Sequence, residues 1–465
     1  MNSLKIAAAI VVGLVAAVLL WFIATPEPGP VRYEFNPLST YQVDGNAVIL
    51  AATNDGQLLL YTNPARSSVD ILDISAPATP AALASVPLPG QPTGVAVTPD
   101  GAWALASVYL AAELGGAAGL SPHYPGALAL IDLRAPARAA VVAMIGVGHQ
   151  PDSIAVTRSG PNIYAILAIE NEALLQEQEA DVIADISLPG SIQIVSFDPD
   201  RPANYRVAAL DLSPERLARA GVLQPADPQP EYITVTRDQT LAAASLQDNN
   251  GIVIFDPYNL EIKRLFSTGA VADRLADLKD DQQVALTQNY PAEALAQQPA
   301  AGQREPDGLA FTPDGRYLLS ADEGELALTG GRGFSIWTLE GELVWDDGGE
   351  IERTAAQQGF YPDDRSERRG VEIEGVATAR FGGDDYAFVT SERGGFMAIY
   401  DITDPLAPRF VQLLTTGAAP ESVVAIESRG LVITGAEDSG TLHLFQHDPL
   451  PGAADRPATN DAPTE

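Results

Sequence analysis

A hairpin motif that recurs seven times constrains the fold of this chain more than any other feature. Its clearest copy runs from Glu305 to Glu323, EPDGLAFTPDGRYLLSADE: a short apolar run, the turn Thr312-Pro313-Asp314-Gly315, a second apolar run and an acidic exit. Pro fixes φ, Asp bonds the local backbone and Gly accepts a positive φ, so such a turn closes one strand onto the next. The same frame opens near Val43 (VDGNAVILAATNDGQLLLYT), at Gln91 (QPTGVAVTPDGAWALASVY), at Gln150 (QPDSIAVTRSGPNIYAILAIEN) and at Gln229 (QPEYITVTRDQTLAAASLQDNN). It returns at Glu372 (EIEGVATARFGGDDYAFVTSERGG) and Pro420 (PESVVAIESRGLVITGAEDSG). Most copies continue into a third run ending in an acid, such as ALALID from Ala127 or GIVIFD from Gly251, and then into a fourth, less regular strand.

Four short strands per unit, with self-similarity from unit to unit, predict an all-β, seven-bladed β-propeller rather than a sandwich. The blades are expected near 43–88, 91–148, 150–210, 229–268, 305–350, 372–415 and 420–447. The last copy holds only three strands, and residues 31–42 precede the first copy without a blade of their own. An N-terminal strand from that segment is expected to complete the seventh blade and close the ring, which removes two free sheet edges. A ring grows by adding units, so residues 31–450 form one domain despite their length. Residues 451–465, rich in Pro, Ala and Asp, read as a disordered tail.

Ahead of the repeats lies the apolar run of residues 6–24, with Lys5 before it and Trp21-Phe22 near its end. Its length suits a bilayer, and the positive charge suits the cytoplasmic side. The expectation is one uncleaved transmembrane signal-anchor helix within residues 1–30, tethering a periplasmic or extracellular propeller to the inner membrane. Secretion after signal cleavage is the alternative. The chain has no cysteine, which excludes disulfides, thiolate metal sites and a cysteine nucleophile. A formal net charge of −34 repels nucleic acid. No P-loop, HExxH or G-x-S-x-G pattern is present, so neither a nucleotide nor a zinc cofactor is indicated, and haem is not expected either.

Connections in a four-stranded blade alternate between the two faces of the disc. The short TPDG-type turns leave one face plain, and the insertions at 111–125, 171–189, 213–228, 268–304 and 350–371 all fall on the other. Within 268–304 the stretch ADRLADLK can form a short amphipathic helix. Two sets of acids gather on this inserted face. Asp152, Glu231, Asp307, Glu374 and Glu421 sit where inner strands begin; Asp248, Glu323 and Glu392 sit where second strands end. Inner strands line the channel of a propeller, so these carboxylates should converge on its mouth. Carboxylates held that close need cations or arginines among them. Oxygen donors favour Ca²⁺ over zinc, and Arg304, Arg332, Arg365, Arg369 and Arg393 are candidates to neutralise the acids, with Arg304, Arg365, Arg369 and Arg393 also candidates to hold an anion. Three roles stay open for the acids: capping and pairing between blades, metal binding, and acid/base catalysis.

The stretches PEYITVTRDQTLAAASLQDNNGIVIFD, EPDGLAFTPDGRYLLSADEGE and DDRSERRGVEIEGVATARFGGDDYAFVTSERGGFMAIYDITDPLAPRFV resemble the bacterial choice-of-anchor I β-propellers, related to the mesenchyme-specific cell-surface glycoprotein type. The resemblance spans about residues 40–447 and implies an exported, surface-attached propeller. The EGVA and SADEGE elements are also similar to esterase-like phytase propellers. That likeness implies phosphoester chemistry, with Ca²⁺ held by Asp307, Glu323, Glu374 and Glu392. Two functions are therefore expected. One is a membrane-tethered binding or scaffolding module that takes a protein, glycan or small phosphorylated ligand on its inserted face. The other is a Ca²⁺-dependent phosphoesterase with its site at the channel mouth.

Overall fold

The structure, a computed structural model, describes residues 35–110, 125–170, 189–271, 274–287, 302–324 and 330–448. Alternating apolar runs pair through the repeated turns into seven antiparallel four-stranded sheets. The inner strands are Leu50–Ala52, Gly90–Val97, Pro151–Ser159, Pro230–Val235, Pro306–Phe311, Ile373–Phe381 and Pro420–Ile426. Each lies against the inner strands of its two neighbours, and the first lies against the seventh, so the ring closes around an axial channel. This is a seven-bladed β-propeller.

The turns work as their residues dictate. Thr312 Oγ1 donates to Asp314 Oδ1 at 2.7 Å, the Arg316 amide donates to the same oxygen at 3.0 Å, and Gly315 takes φ +72°. Thr98 with Asp100 and Thr236 with Asp238 repeat that bond, each at 2.7 Å. Because each sheet packs against a neighbour on both faces, its middle strands are apolar on both. The core is therefore seven layers, one in each gap between blades. In one of them Leu60, Val69 and Ile71 of the first sheet meet Val95, Ala104 and Ala106 of the second.

The seventh sheet joins the two ends of the propeller. Strand Phe35–Gln42 pairs antiparallel with Thr441–His447 and forms its outermost strand. Phe35 is fully buried against Phe381, Tyr386 and Phe388 at centroid distances of 5.7, 5.2 and 5.2 Å. Gln412 brackets its backbone, accepting from the Phe35 amide at 3.1 Å and donating to its carbonyl at 2.8 Å.

Two expectations need correction. No helix among the described residues is long and apolar enough to cross a membrane. Crossing takes about 20 apolar helical residues, whereas Pro214–Ala220 has 7 residues and Glu350–Gln358 has 9. The run at residues 6–24, read as the signal-anchor, lies outside the described residues. The anchor helix, the membrane tether built on it and the inner-membrane placement are therefore withdrawn. The second correction concerns ADRLADLK, whose described residues 274–279 are not helical. Tertiary bonds override its helical pattern: Arg274 is drawn to Asp346 at 2.7 Å, and Asp277 accepts from the amides of Lys279 and Ala285 at 3.2 and 2.7 Å. The tail at 451–465 also falls outside the described residues.

Candidate functional site

Five of the seven inner strands begin with a register break just after their first residue. It falls between Pro151 and Ile154, Pro230 and Ile233, Pro306 and Leu309, Ile373 and Val376, and Pro420 and Ser422. A bulge turns the local backbone and re-aims the side chains within it. Four of these starts follow a residue in the left-handed region: Gln150, Glu305, Glu372 and Ala419, with φ of 48, 51, 49 and 55°. The residue delivered by each bulge is an acid. Asp152, Glu231, Asp307, Glu374 and Glu421 consequently line one cavity of about 280 Å³ at the channel mouth, together with Glu437. The break in the second inner strand, between Pro92 and Gly94, holds Thr93, and the first inner strand has no break, so the wall there is formed by Val48, Ile49, Gln91, Pro92, Thr93 and Tyr109 instead. Small residues let the strands approach this closely. A Cβ on Gly308 would lie 2.3 Å from the Glu374 carbonyl oxygen, and one on Gly375 would lie 2.8 Å from that of Glu421.

Crowding shows in the protonation of these groups. Burial, and then Glu421, push the Asp152 carboxyl up to about 7. Burial followed by Asp152, Glu170, Asp307 and Asp248 raises Glu231 well above the usual range. Burial followed by Glu421, Asp307 and Glu392 does the same to Glu374. Glu392 is pushed up to about 7, chiefly by burial, and shares a hydrogen bond with Glu374. Glu374 is hydrogen-bonded to Glu421 as well, and a contact between two carboxyls requires a proton between them.

To one side of the mouth, carboxylate oxygens of Glu323, Glu372 and Glu374 lie within 4.8 Å of one another, a group that could hold a divalent ion. Arginines from the loop ahead of the sixth blade, and Arg393 from the turn after its second strand, reach into it. Arg369 Nη1 donates to Glu323 at 2.7 Å, Arg365 Nε to Glu372 at 2.5 Å and Arg393 Nε to Glu372 at 3.3 Å. Arg393 also meets Glu392 at 2.8 Å, and Gln247 Nε2 donates to Glu323 at 2.6 Å.

Of the residues singled out from sequence, Asp152, Glu231, Asp307, Glu374 and Glu421 come together at the mouth. Asp248 lies close enough to Glu231 to raise it, and Glu323, Glu392, Arg365, Arg369 and Arg393 gather beside Glu374. Arg304 goes elsewhere: its guanidinium bonds Ser335 Oγ, the Thr268 carbonyl and Asp346 at 3.1, 2.7 and 3.0 Å, in the body of the fifth blade. Glu372 and Gln247 were missed. The available signal for Glu372 is its place in Glu372-Ile373-Glu374, one position before a proline-type start, where Gln150, Gln229 and Glu305 stand in other copies.

Comparison with known proteins returns one family. The choice-of-anchor I domain matches residues 48–301 and 325–405, more than half of the chain. No curated protein matches it. Among solved structures, Kuenenia stuttgartiensis hydrazine synthase is similar, with a TM-score of 0.53 and 14% identity over 88% of this chain and 98% of that one. The β-propeller domain of Myceliophteria thermophila Cps50 (Swd1) gives 0.54 and 12% over 89% and 99%. At such identities these likenesses speak for the fold alone.

Proposed function

The chain belongs to the choice-of-anchor I domain family, and from that premise we propose that it is a Ca²⁺-dependent phosphoric ester hydrolase acting at the acidic mouth of its channel. The observation that carries this reading is the meeting of Glu323, Glu372 and Glu374 within 4.8 Å, with Arg365, Arg369 and Arg393 bonded to the same carboxylates. All three donors are carboxylate oxygens, and among them there is no imidazole or thiolate, which suits a hard cation. Glu374 tests the fit: burial first, and then the neighbouring carboxyls of Glu421, Asp307 and Glu392, raise its carboxyl, and an ion would supply the positive charge that opposes both. Bound there, a divalent ion would polarise a phosphoryl oxygen.

The remaining work falls to the chain's own residues. Guanidinium groups match phosphate geometry, so Arg365, Arg369 and Arg393 would share their donors between the glutamates and an arriving phosphoryl group, and would orient it. In hydrolysis a water oxygen bonds to phosphorus, the phosphorus–oxygen bond to the alcohol breaks, and the departing oxygen needs a proton. With Glu374 holding the ion as a carboxylate, the proton of the hydrogen-bonded pair stays on Glu421, whose carboxyl burial raises, and Glu421 would give it to that oxygen. The neutral wall of Val48, Ile49, Pro92 and Tyr109 leaves room for the organic part of the ester.

The test is hydrolysis of phosphomonoester and diester substrates by the full chain, with calcium and with chelator. Turnover should require the ion, and Glu323→Gln and Glu374→Gln should each lower it by about 100-fold or more. Calcium at about 100 times its Kd should also stabilise the fold by about 2.7 kcal/mol. Turnover that survives equally in both variants would end the enzymatic reading.

A further inference from the structure

The axial channel runs through the disc. At the acidic end its cavity shares Ile49, Thr93, Asp152 and Tyr232 with a middle section of about 400 Å³. That section in turn shares Val156, Val235 and Val424 with a cavity of about 560 Å³ at the plain face. There the opening is crossed. Arg237, on the turn of the fourth blade, donates from Nη1 and Nη2 to the two carboxylate oxygens of Glu427, on the turn of the seventh, at 2.7 and 2.5 Å. Two blades lie between these turns on one side of the ring and three on the other, so the pair spans the channel. A cavity lies to each side of it. The one of 560 Å³ is bounded by Thr53, Pro99 and Val156 of the first three blades, and one of about 270 Å³ is bounded by Thr312 and Thr378 of the fifth and sixth. Arg237 borders both.

We propose that the Arg237–Glu427 pair is a gate, and that small anions pass between the channel and solvent at the plain face when it opens. The two partners differ in freedom. Glu427 is fixed: its carboxylate also accepts from the Arg380 amide, and its turn is tied to the first blade, where Arg429 donates to the carbonyls of Gly56 and Ser75 at 3.0 and 2.8 Å. Arg237 is a long, exposed side chain that can swing while its turn stays held by the Thr236–Asp238 bond. The side chains of the pair keep 49% and 32% of their surface in water. An ion pair so exposed is weak, so the guanidinium leaves and returns readily. Anions are the solutes for which this end matters. The opposite mouth carries Asp152, Glu231, Asp307, Glu374, Glu421 and Glu437, whose field turns free anions away unless an ion is bound there. Charges at the plain face balance instead: Arg158 meets Asp100, and Arg380 meets Asp385. An unlatched Arg237 adds a guanidinium, which matches carboxylate and phosphate groups.

The chain has no cysteine, so one thiol placed at Thr234, which lines both the middle section and the smaller plain-face cavity, reports entry. Full-length Thr234→Cys is treated at pH 8, in chelator, with an alkyl methanethiosulfonate that carries a sulfonate. The thiolate attacks the sulfenyl sulfur, a disulfide forms and methanesulfinate leaves. Adding Glu427→Gln to this chain should raise the rate of modification by about tenfold or more, because the freed Arg237 attracts the reagent as it clears the opening. Arg237→Ala removes the crossing side chain and should raise the rate as well, by less. Glu374→Gln, at the other mouth, should leave it unchanged. A rate unchanged in every gate variant that keeps the parent's melting temperature overturns the proposal. So does a rate that Glu374→Gln raises as far as Glu427→Gln does, since the anion then enters at the acidic mouth.

Discussion

Glu374 shows why a carboxylate at this mouth cannot be understood alone. Its bulge aims it at Glu421 and Asp307, which belong to other blades, and at Glu392, across the hairpin of its own. Burial and these neighbours hold its proton, as they hold those of Asp152 and Glu392 up to about 7. In the unfolded chain the same groups release protons near 4. Between those limits the folded state binds more protons than the unfolded state, so stability falls as pH rises through the window. The melting temperature in chelator should therefore drop from pH 5 to pH 8, and calcium at pH 8 should restore it. A flat or rising profile over that window would show that other groups already compensate the acids. Individual acids at strand starts are readable from sequence because the proline-type start marks them. Their mutual distances are not.

At the scale of single elements, the loop ahead of the sixth blade matters most, since it brings Arg365 and Arg369 to the glutamates. It is held from beneath by Arg332, which is fully buried and donates from Nη2 to the carbonyls of Ser366 and Arg368 at 2.9 Å each. Glu352 of helix Glu350–Gln358 lies 3.6 Å from the same guanidinium and is also buried. Removing one member of a buried ion pair strands the other, so Arg332→Met should cost about 3–5 kcal/mol in denaturant unfolding. A loss below about 1 kcal/mol would mean that the loop stands without this anchor. From sequence Arg332 is one more arginine near an acidic face. Only its burial beneath the loop reveals that it supports the site and does not take part in it.

For the whole molecule, closure is the decisive event, because a propeller has no free radial edge only once its two ends meet. Phe35 inserts into the layer between the sixth and seventh blades and is fastened there by Gln412. Phe35→Ala should lower stability by about 3–5 kcal/mol by thermal or chemical melting, more than a comparable truncation on the outward face of any blade. An unchanged midpoint would show that the ring is held without this strand. The ring itself was legible beforehand. Turn chemistry and strand alternation are local, and seven copies of one local instruction leave few ways to assemble. The site was legible only by halves. That acids would face the channel follows from the repeat, but that Glu323 meets Glu372 across two blades, while Arg304 turns away to Asp346, depends on bulges and on burial between sheets. A repeated hairpin is written in neighbouring residues and survives being read one copy at a time; a shared carboxylate cluster exists only between copies, and only the closed ring brings them within bonding distance.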